Sequence, residues 1–274
     1  MDLLDTVVGL ADEGGGTYGV AARNLSTGDT INLRADEEFD TASVVKVPIM
    51  VELFHQAHVS SLHLQDRMAT SEEFVVGGAG ILKDFALGLQ PTLRDLCVAM
   101  IALSDNTATN MLAVGVGIEA VNERMHSLGL RRTRLNRLVS FRPPSDGRPT
   151  GLGATTPNEM LRLFELLAAG EAVSPEMDRE MTGILALQHD RSMVPRYLPD
   201  GYDSVTGKGD PEIAAKTGAV SRVRNDVSLL TFSDGRRWII SAFSKDLQDR
   251  SNRFEHTGEV TIGRIARAIW DAWS

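Results

Sequence analysis

The sequence predicts an α/β fold in which one antiparallel sheet, flanked by helices, is assembled from both ends of the chain around an inserted all-helical lobe. Two runs near the start, Tyr18 to Leu25 and Thr30 to Leu33, alternate about the turn sequence Ser26-Thr27-Gly28-Asp29 and read as a β-hairpin. Strand character returns only late, at Ile213 to Thr217, Asp226 to Phe232 and Arg237 to Phe243. Between these groups the apolar residues recur at helical spacing. The reading is one domain over residues 1–274, with an α/β lobe of residues 1–40 plus 195–274 and a helical lobe of residues 41–194.

Each element has a local reason. Leu3, Leu4, Val7, Val8 and Ala11 make an apolar stripe on a first helix over residues 2–12, ended by Gly14-Gly15-Gly16. A second helix is expected from Ser43 to about His58, with Pro48 near the first turn, where a missing N–H costs least. Pro91-Thr92 opens a third with Thr92 as N-cap, and this one breaks at Ser104-Asp105-Asn106. Thr156-Pro157 starts another, and a further helix spans Pro175 to Leu187. The last, Glu259 to Trp273, presents Ile262, Ile265, Ala266, Ile269, Trp270 and Trp273 to a core. Gly77-Gly78-Ala79-Gly80 is expected to be a flexible loop, since no strand precedes it as a phosphate-cradling fingerprint requires. From Arg124 to Asn158 seven arginines face a single acid, Asp146. The Pro/Gly-rich second half of that stretch reads as a loop, either plain basic surface or a cover that favours an anionic substrate.

Composition narrows the partners. With 37 acidic against 28 basic residues the net charge is -9, which argues against nucleic acid or an anionic membrane and leaves small molecules. Cys97 is the only cysteine and falls in an apolar helical run, so it reads as a buried thiol and no internal disulfide is possible. His55, His58 and His63 cluster without a further ligand, so neither a metal nor a cofactor is assigned. The N-terminus, Met1-Asp2-Leu3-Leu4-Asp5, is acidic where a secretory signal would be basic. As written the chain is expected in the cytoplasm, as a monomer, and exported only if the true start lies upstream.

The chemistry centres on Ser43 and Lys46. Three residues apart on a helix, they share a face. A serine hydroxyl is a weak nucleophile until a neighbouring base takes its proton. The chain has five lysines, at 46, 83, 208, 216 and 245, so 23 of its 28 basic residues are arginine. Arginine keeps its proton at workable pH and lysine need not, which makes the rare lysines the places to look for proton transfer. Lys216-Thr217-Gly218 ends a predicted strand, where a cation, a hydroxyl and a close-approach glycine could meet a carboxylate and an extended acyl group.

With Ser43-Val44-Val45-Lys46 and Ser104-Asp105-Asn106 ahead of Lys216-Thr217-Gly218, the chain resembles the class A β-lactamases and their penicillin-recognising serine-hydrolase relatives, over nearly its whole length. The resemblance implies a β-lactamase-like catalytic domain without a cofactor. It implies acyl transfer to Ser43, Lys46 as base or proton relay, and Ser104 passing the proton to the leaving nitrogen. The backbone N–H groups of Ser43 and Ala219 would form the oxyanion hole. Asn106 would bind the acyl amide; Lys216, Thr217 and Gly218 would hold the substrate, with Arg222 or Arg224 as the carboxylate-binding arginine.

One departure stands out. The family's loop carries a glutamate that positions the deacylating water, yet no glutamate occurs between Glu123 and Glu159, and its place falls near Ser140. Acylation is therefore better supported than complete hydrolysis. An esterase or peptidase using the same Ser and Lys, and a penicillin-binding sensor acylated once, are the other readings. In each the ligand is a small molecule, a β-lactam or an ester or peptide with a carboxylate.

Overall fold

A computed structural model of the protein describes residues 2–142, 151–251 and 253–274. Asp146, the one acid of the arginine-rich stretch, lies outside the described residues. The chain divides into two compact units, Met1–Val44 with Thr155–Glu165 and Asp190–Ser274, and Val45–Ala154 with Leu166–His189.

The first unit is built on a five-stranded antiparallel sheet. Its strands are β1 (Thr17–Asn24), β2 (Thr30–Leu33), β6 (Glu212–Val220), β7 (Val223–Thr231) and β8 (Arg237–Lys245), ordered β2-β1-β8-β7-β6, and a two-residue strand β3 (Phe39–Asp40) follows β2 in the chain. Pairing of β1 with β8, from Thr17↔Lys245 to Asn24↔Trp238, joins the two ends of the chain, as the early and late strand signals predict. The hairpin turn is held by Asn24, whose Oδ1 accepts from Ser26 N and Thr27 N. Helices α1 (Leu3–Gly14) and α8 (Thr257–Trp273) share one core with the sheet, made by Val7, Ala11, Val20, Trp238, Ile262 and Ile269 among others. Trp238 packs there with Phe232, Trp270 and Trp273 at ring-centroid distances of 4.5, 5.5 and 5.7 Å.

Three short segments expected in the helical lobe belong to this unit: 41–44, 155–165 and 190–194. Two of them are hydrogen-bonded to the sheet-bearing chain. Ser241 Oγ donates to Pro157 O at 2.9 Å, Asn158 N to Ala35 O at 2.9 Å, and Val194 N to Asp226 Oδ2 at 2.9 Å.

The second unit contains α2 (Lys46–His58), α3 (Leu93–Ala102), α4 (Asn106–Val116), α5 (Ile118–Ser127) and α7 (Pro175–Leu185). Helix α3 has the expected Thr92 cap, reinforced because Asp95 answers it in a capping box. Leu96, Cys97, Met100, Ile101, Met111, Leu112 and Met125 are buried, and burial pushes the Cys97 thiol's pKa up, so it is an inert core group. Two short strands, β4 (Arg134–Leu135) and β5 (Gly153–Thr155), pair antiparallel in the arginine-rich stretch. Helix α6 (Pro157–Ala169) runs through the boundary between the two stretches of chain. Among the described residues no helix is long and apolar enough to cross a membrane, and none group as a metal-holding cluster.

Candidate active site

In the second unit Lys46 is fully buried at the first position of α2. Its Nζ donates to Ser104 O at 2.7 Å, Ser104 Oγ at 2.9 Å and Asn106 Oδ1 at 3.0 Å. Each of these oxygens is an acceptor that an ammonium N–H can reach. If Lys46 gives up a proton, Ser104 Oγ is at hydrogen-bond distance to return one, which is the geometry a relay needs. Ser104 holds a left-handed backbone, φ 55°, between α3 and α4.

The middle residue of that triplet does something else. Asp105 caps α4, its Oδ1 accepting from Ala108 N at 2.9 Å. Its Oδ2 accepts from Ile81 N at 2.7 Å and Leu82 N at 2.9 Å, so one buried carboxylate ties the Gly77–Gly80 loop to the helix. Asn106 completes the tie: its N donates to Ala79 O at 3.1 Å and its Nδ2 to Gly77 O at 3.0 Å. The glycine loop expected to be flexible is thus pinned, and Gly80 is required there. Its φ is +95°, and a Cβ would overlap the Asp105 carboxylate.

In the first unit Ser43 lies in a 3₁₀ turn, Ala42–Val45, rather than at the start of the α-helix the sequence predicts. The segment before it is fixed by groups the motifs do not announce. Asp40 Oδ1 accepts from Ala42 N at 2.8 Å, and Asn225 Nδ2 donates to Asp40 O at 2.8 Å. Asn225 sits opposite Gly218 in the β6–β7 register. Gly218 in turn lies against the Ser43 turn: a Cβ there would stand 2.8 Å from Thr41 O and 3.0 Å from Ser43 N. Only glycine lets β6 approach the Ser43 turn so closely.

Lys216 is fully buried in β6, and its Nζ donates to Thr217 O at 2.9 Å. Burial pushes its pKa down to about 8, against the pull of Asp190 and Asp226. Asp226 of β7, opposite Thr217, is also fully buried and is pushed up to about 7 by desolvation, against its hydrogen bonds from Val194 N and Ser228 Oγ. No sequence signal marked Asp226.

The two candidate carboxylate-binding arginines are both occupied. Arg224 is buried; its Nε donates to Glu259 Oε1 at 2.8 Å and its Nη1 to Val220 O and Val223 O at 3.0 and 2.9 Å. Arg222 donates from Nε to Leu247 O at 3.2 Å.

In the arginine-rich stretch, Val139 is clamped by Asn110: Val139 N donates to Asn110 Oδ1 at 2.8 Å and Asn110 Nδ2 to Val139 O at 3.1 Å. The neighbouring Ser140, where the glutamate would fall, accepts from Arg142 N through its Oγ at 3.1 Å. No acid occurs at 134–142 or 151–155, the described parts of this loop.

Comparison with known proteins agrees with this architecture. A model of the beta-lactamase enzyme family matches residues 2–273. A β-lactamase of Rhodobacter capsulatus is 28% identical over 97% of this chain and 88% of its own, and one of Streptomyces albus G is 30% identical over 85% and 74%. The crystal structure of a β-lactamase from Sphaerobacter thermophilus superposes with a TM-score of 0.88, at 32% identity, covering 99% of this chain and 97% of that one. The chain therefore belongs to the beta-lactamase enzyme family, with the fold of its class A members.

Proposed function

We propose that the protein opens β-lactams by acyl transfer to Ser43, as a class A β-lactamase-type serine hydrolase. The observation that carries this is the Lys46 hydrogen-bond network, a buried amine with Ser104 Oγ at 2.9 Å and Asn106 Oδ1 at 3.0 Å. Lys46 serves as base or relay for the Ser43 proton, and Ser104 delivers a proton to the departing nitrogen. The Ser43 and Ala219 amides receive the oxyanion, and the close approach of Gly218 to the Ser43 turn favours that use. Asn106 holds the acyl amide, while Lys216 and Thr217 meet the substrate carboxylate. Intact-mass spectrometry after mixing with benzylpenicillin tests this. The wild type gains one penicilloyl mass and Ser43→Ala gains none; an adduct that persists in the variant removes Ser43 from the role.

A second reading, a protein acylated once that stays acylated, is favoured by one observation: the described loop residues around Val139 and Ser140 hold no carboxylate to activate water. Turnover of a chromogenic cephalosporin separates the two. Ester turnover without β-lactam turnover would point instead to an esterase or peptidase.

A further inference from the structure

Phe141 plays no part in the acyl transfer argued above. An isolated exposed apolar side chain is ordinary on a protein surface, and what sets this one apart is its place. It is 71% exposed, and it has neither a ring nor a cation partner among the described residues. Its ring lies against the Gly77–Gly80 loop, beside the amide that binds Lys46. A Cβ added at Gly78 would stand 2.9 Å from Phe141 Cζ and 2.8 Å from Asn106 Nδ2, so ring tip and amide flank one gap that glycine leaves open. An added Cβ at Gly77 meets the same ring, with Cε2 at 3.8 Å.

Both sides of the gap are held without a ligand. Asn106 Oδ1 accepts from Lys46 Nζ at 3.0 Å, and Asn106 Nδ2 donates one hydrogen to Gly77 O at 3.0 Å. The second hydrogen of that nitrogen has no acceptor among the described residues, which leaves a donor for a ligand carbonyl. On the other side the two residues before Phe141 are anchored. Val139 is clamped by Asn110, and Ser140 O accepts from Arg137 Nη1 at 3.1 Å. An exposed ring on an anchored backbone has little freedom to lose when a flat apolar group packs on it.

We propose that Phe141 is a specificity-determining wall for the acyl side chain of the ligand. An acylamino compound whose carbonyl takes the spare Asn106 N–H sets the group beyond that carbonyl against the ring, which favours a flat apolar group such as benzyl over a small or charged one. That the compound is a β-lactam rests on the acyl transfer argued above; that the gap takes an arylacetylamino group does not.

Two measurements keep these claims apart. Saturation-transfer NMR on the full chain with N-phenylacetylglycine, which has no β-lactam ring, should show transfer to the phenyl protons that Phe141→Ala abolishes and Phe141→Tyr keeps. Stopped-flow acylation should show Phe141→Ala lowering the preference for benzylpenicillin over aminopenicillanic acid, which has no acyl side chain, at least about tenfold, with Phe141→Tyr close to the wild type. A merely structural loss in the loop would slow both β-lactams alike and leave that preference where it was, which overturns the assignment. Phenyl transfer that survives in Phe141→Ala, or that is missing in the wild type, overturns it too. A wild type with Phe141-dependent transfer that reacts with no β-lactam would refute the proposed function and leave the aromatic wall standing.

Discussion

Lys46 Nζ meets Ser104 twice, at the carbonyl oxygen 2.7 Å away and at the hydroxyl 2.9 Å away, with Asn106 Oδ1 as the third partner at 3.0 Å. The cluster suits a compact amine and not a planar fork. A guanidinium keeps the charge but cannot accept a proton, so Lys46→Arg should be as damaging as Lys46→Ala, each slowing adduct formation by about 100-fold or more. Stopped-flow acylation rates check this, and near-normal acylation by the arginine variant would reduce Lys46 to a fixed charge.

Asp105 offers a prediction on stability. Asp105→Ala removes the acceptor of Ala108 N and orphans the amides of Ile81 and Leu82. A lost N-cap costs about 1 kcal/mol, and each buried donor left unsatisfied about 1–3 kcal/mol. Denaturant unfolding should therefore show a loss of roughly 3–7 kcal/mol. A loss below about 0.5 kcal/mol would mean that water replaces the carboxylate at once.

The pair Lys216 and Asp226 sets a pH dependence. Lys216, pushed down to about 8 by burial, loses its charge as pH rises through that value, so KM for a carboxylate-bearing β-lactam should climb there while KM for its ester stays level. Asp226 favours the ammonium, so Asp226→Asn should move that limb to lower pH. Stability follows the opposite partner. Asp226 is pushed up to about 7, so the folded chain holds a proton that the unfolded chain releases from about pH 4 upward. Its contribution to stability therefore falls as pH rises from about 4 to 7, and Asp226→Asn should flatten that part of a melting-temperature profile. Unchanged pH profiles in the asparagine variant would separate Asp226 from Lys216.

The motifs are legible because each keeps its side chains at short spacing, Ser43 with Lys46, Ser104 with Asn106 and Lys216 with Thr217. What was not legible depends on contacts distant in sequence. Gly77–Gly80 looks flexible until the Asp105 carboxylate, 25 residues past Gly80, is seen to fill the space. Asn225 and Asp226 look like ordinary strand polar residues, and only the β6–β7 register puts them opposite Gly218 and Thr217. The strand pair Arg134–Leu135 and Gly153–Thr155 is too short to show a period of two. The hairpin and the sheet's two-ended construction were readable because alternation over several residues is a local signal.

Under the proposed acyl transfer, the loop at Val139 and Ser140, without a carboxylate among its described residues, predicts how the reaction ends. Acylation needs Ser43, a proton relay and two amides, whereas deacylation needs an activated water, and a positioned general base is worth about 100-fold to 10,000-fold there. Benzylpenicillin should give burst kinetics and one covalent adduct that decays far more slowly than it forms. Steady turnover without detectable adduct would show that another group, Lys46 included, activates the water.

The chain's three tryptophans, Trp238, Trp270 and Trp273, all stand in one ring cluster of the first unit. Indole emission is therefore a private optical reporter of the sheet and its terminal helix, and it is silent about the helices that carry Lys46 and Asn106. A fluorescence melt and a far-ultraviolet circular dichroism melt thus interrogate different parts of the same molecule. Where the two curves coincide the units unfold together, and where the dichroism falls first the helices of the second unit loosen while the tryptophans still report an intact first unit.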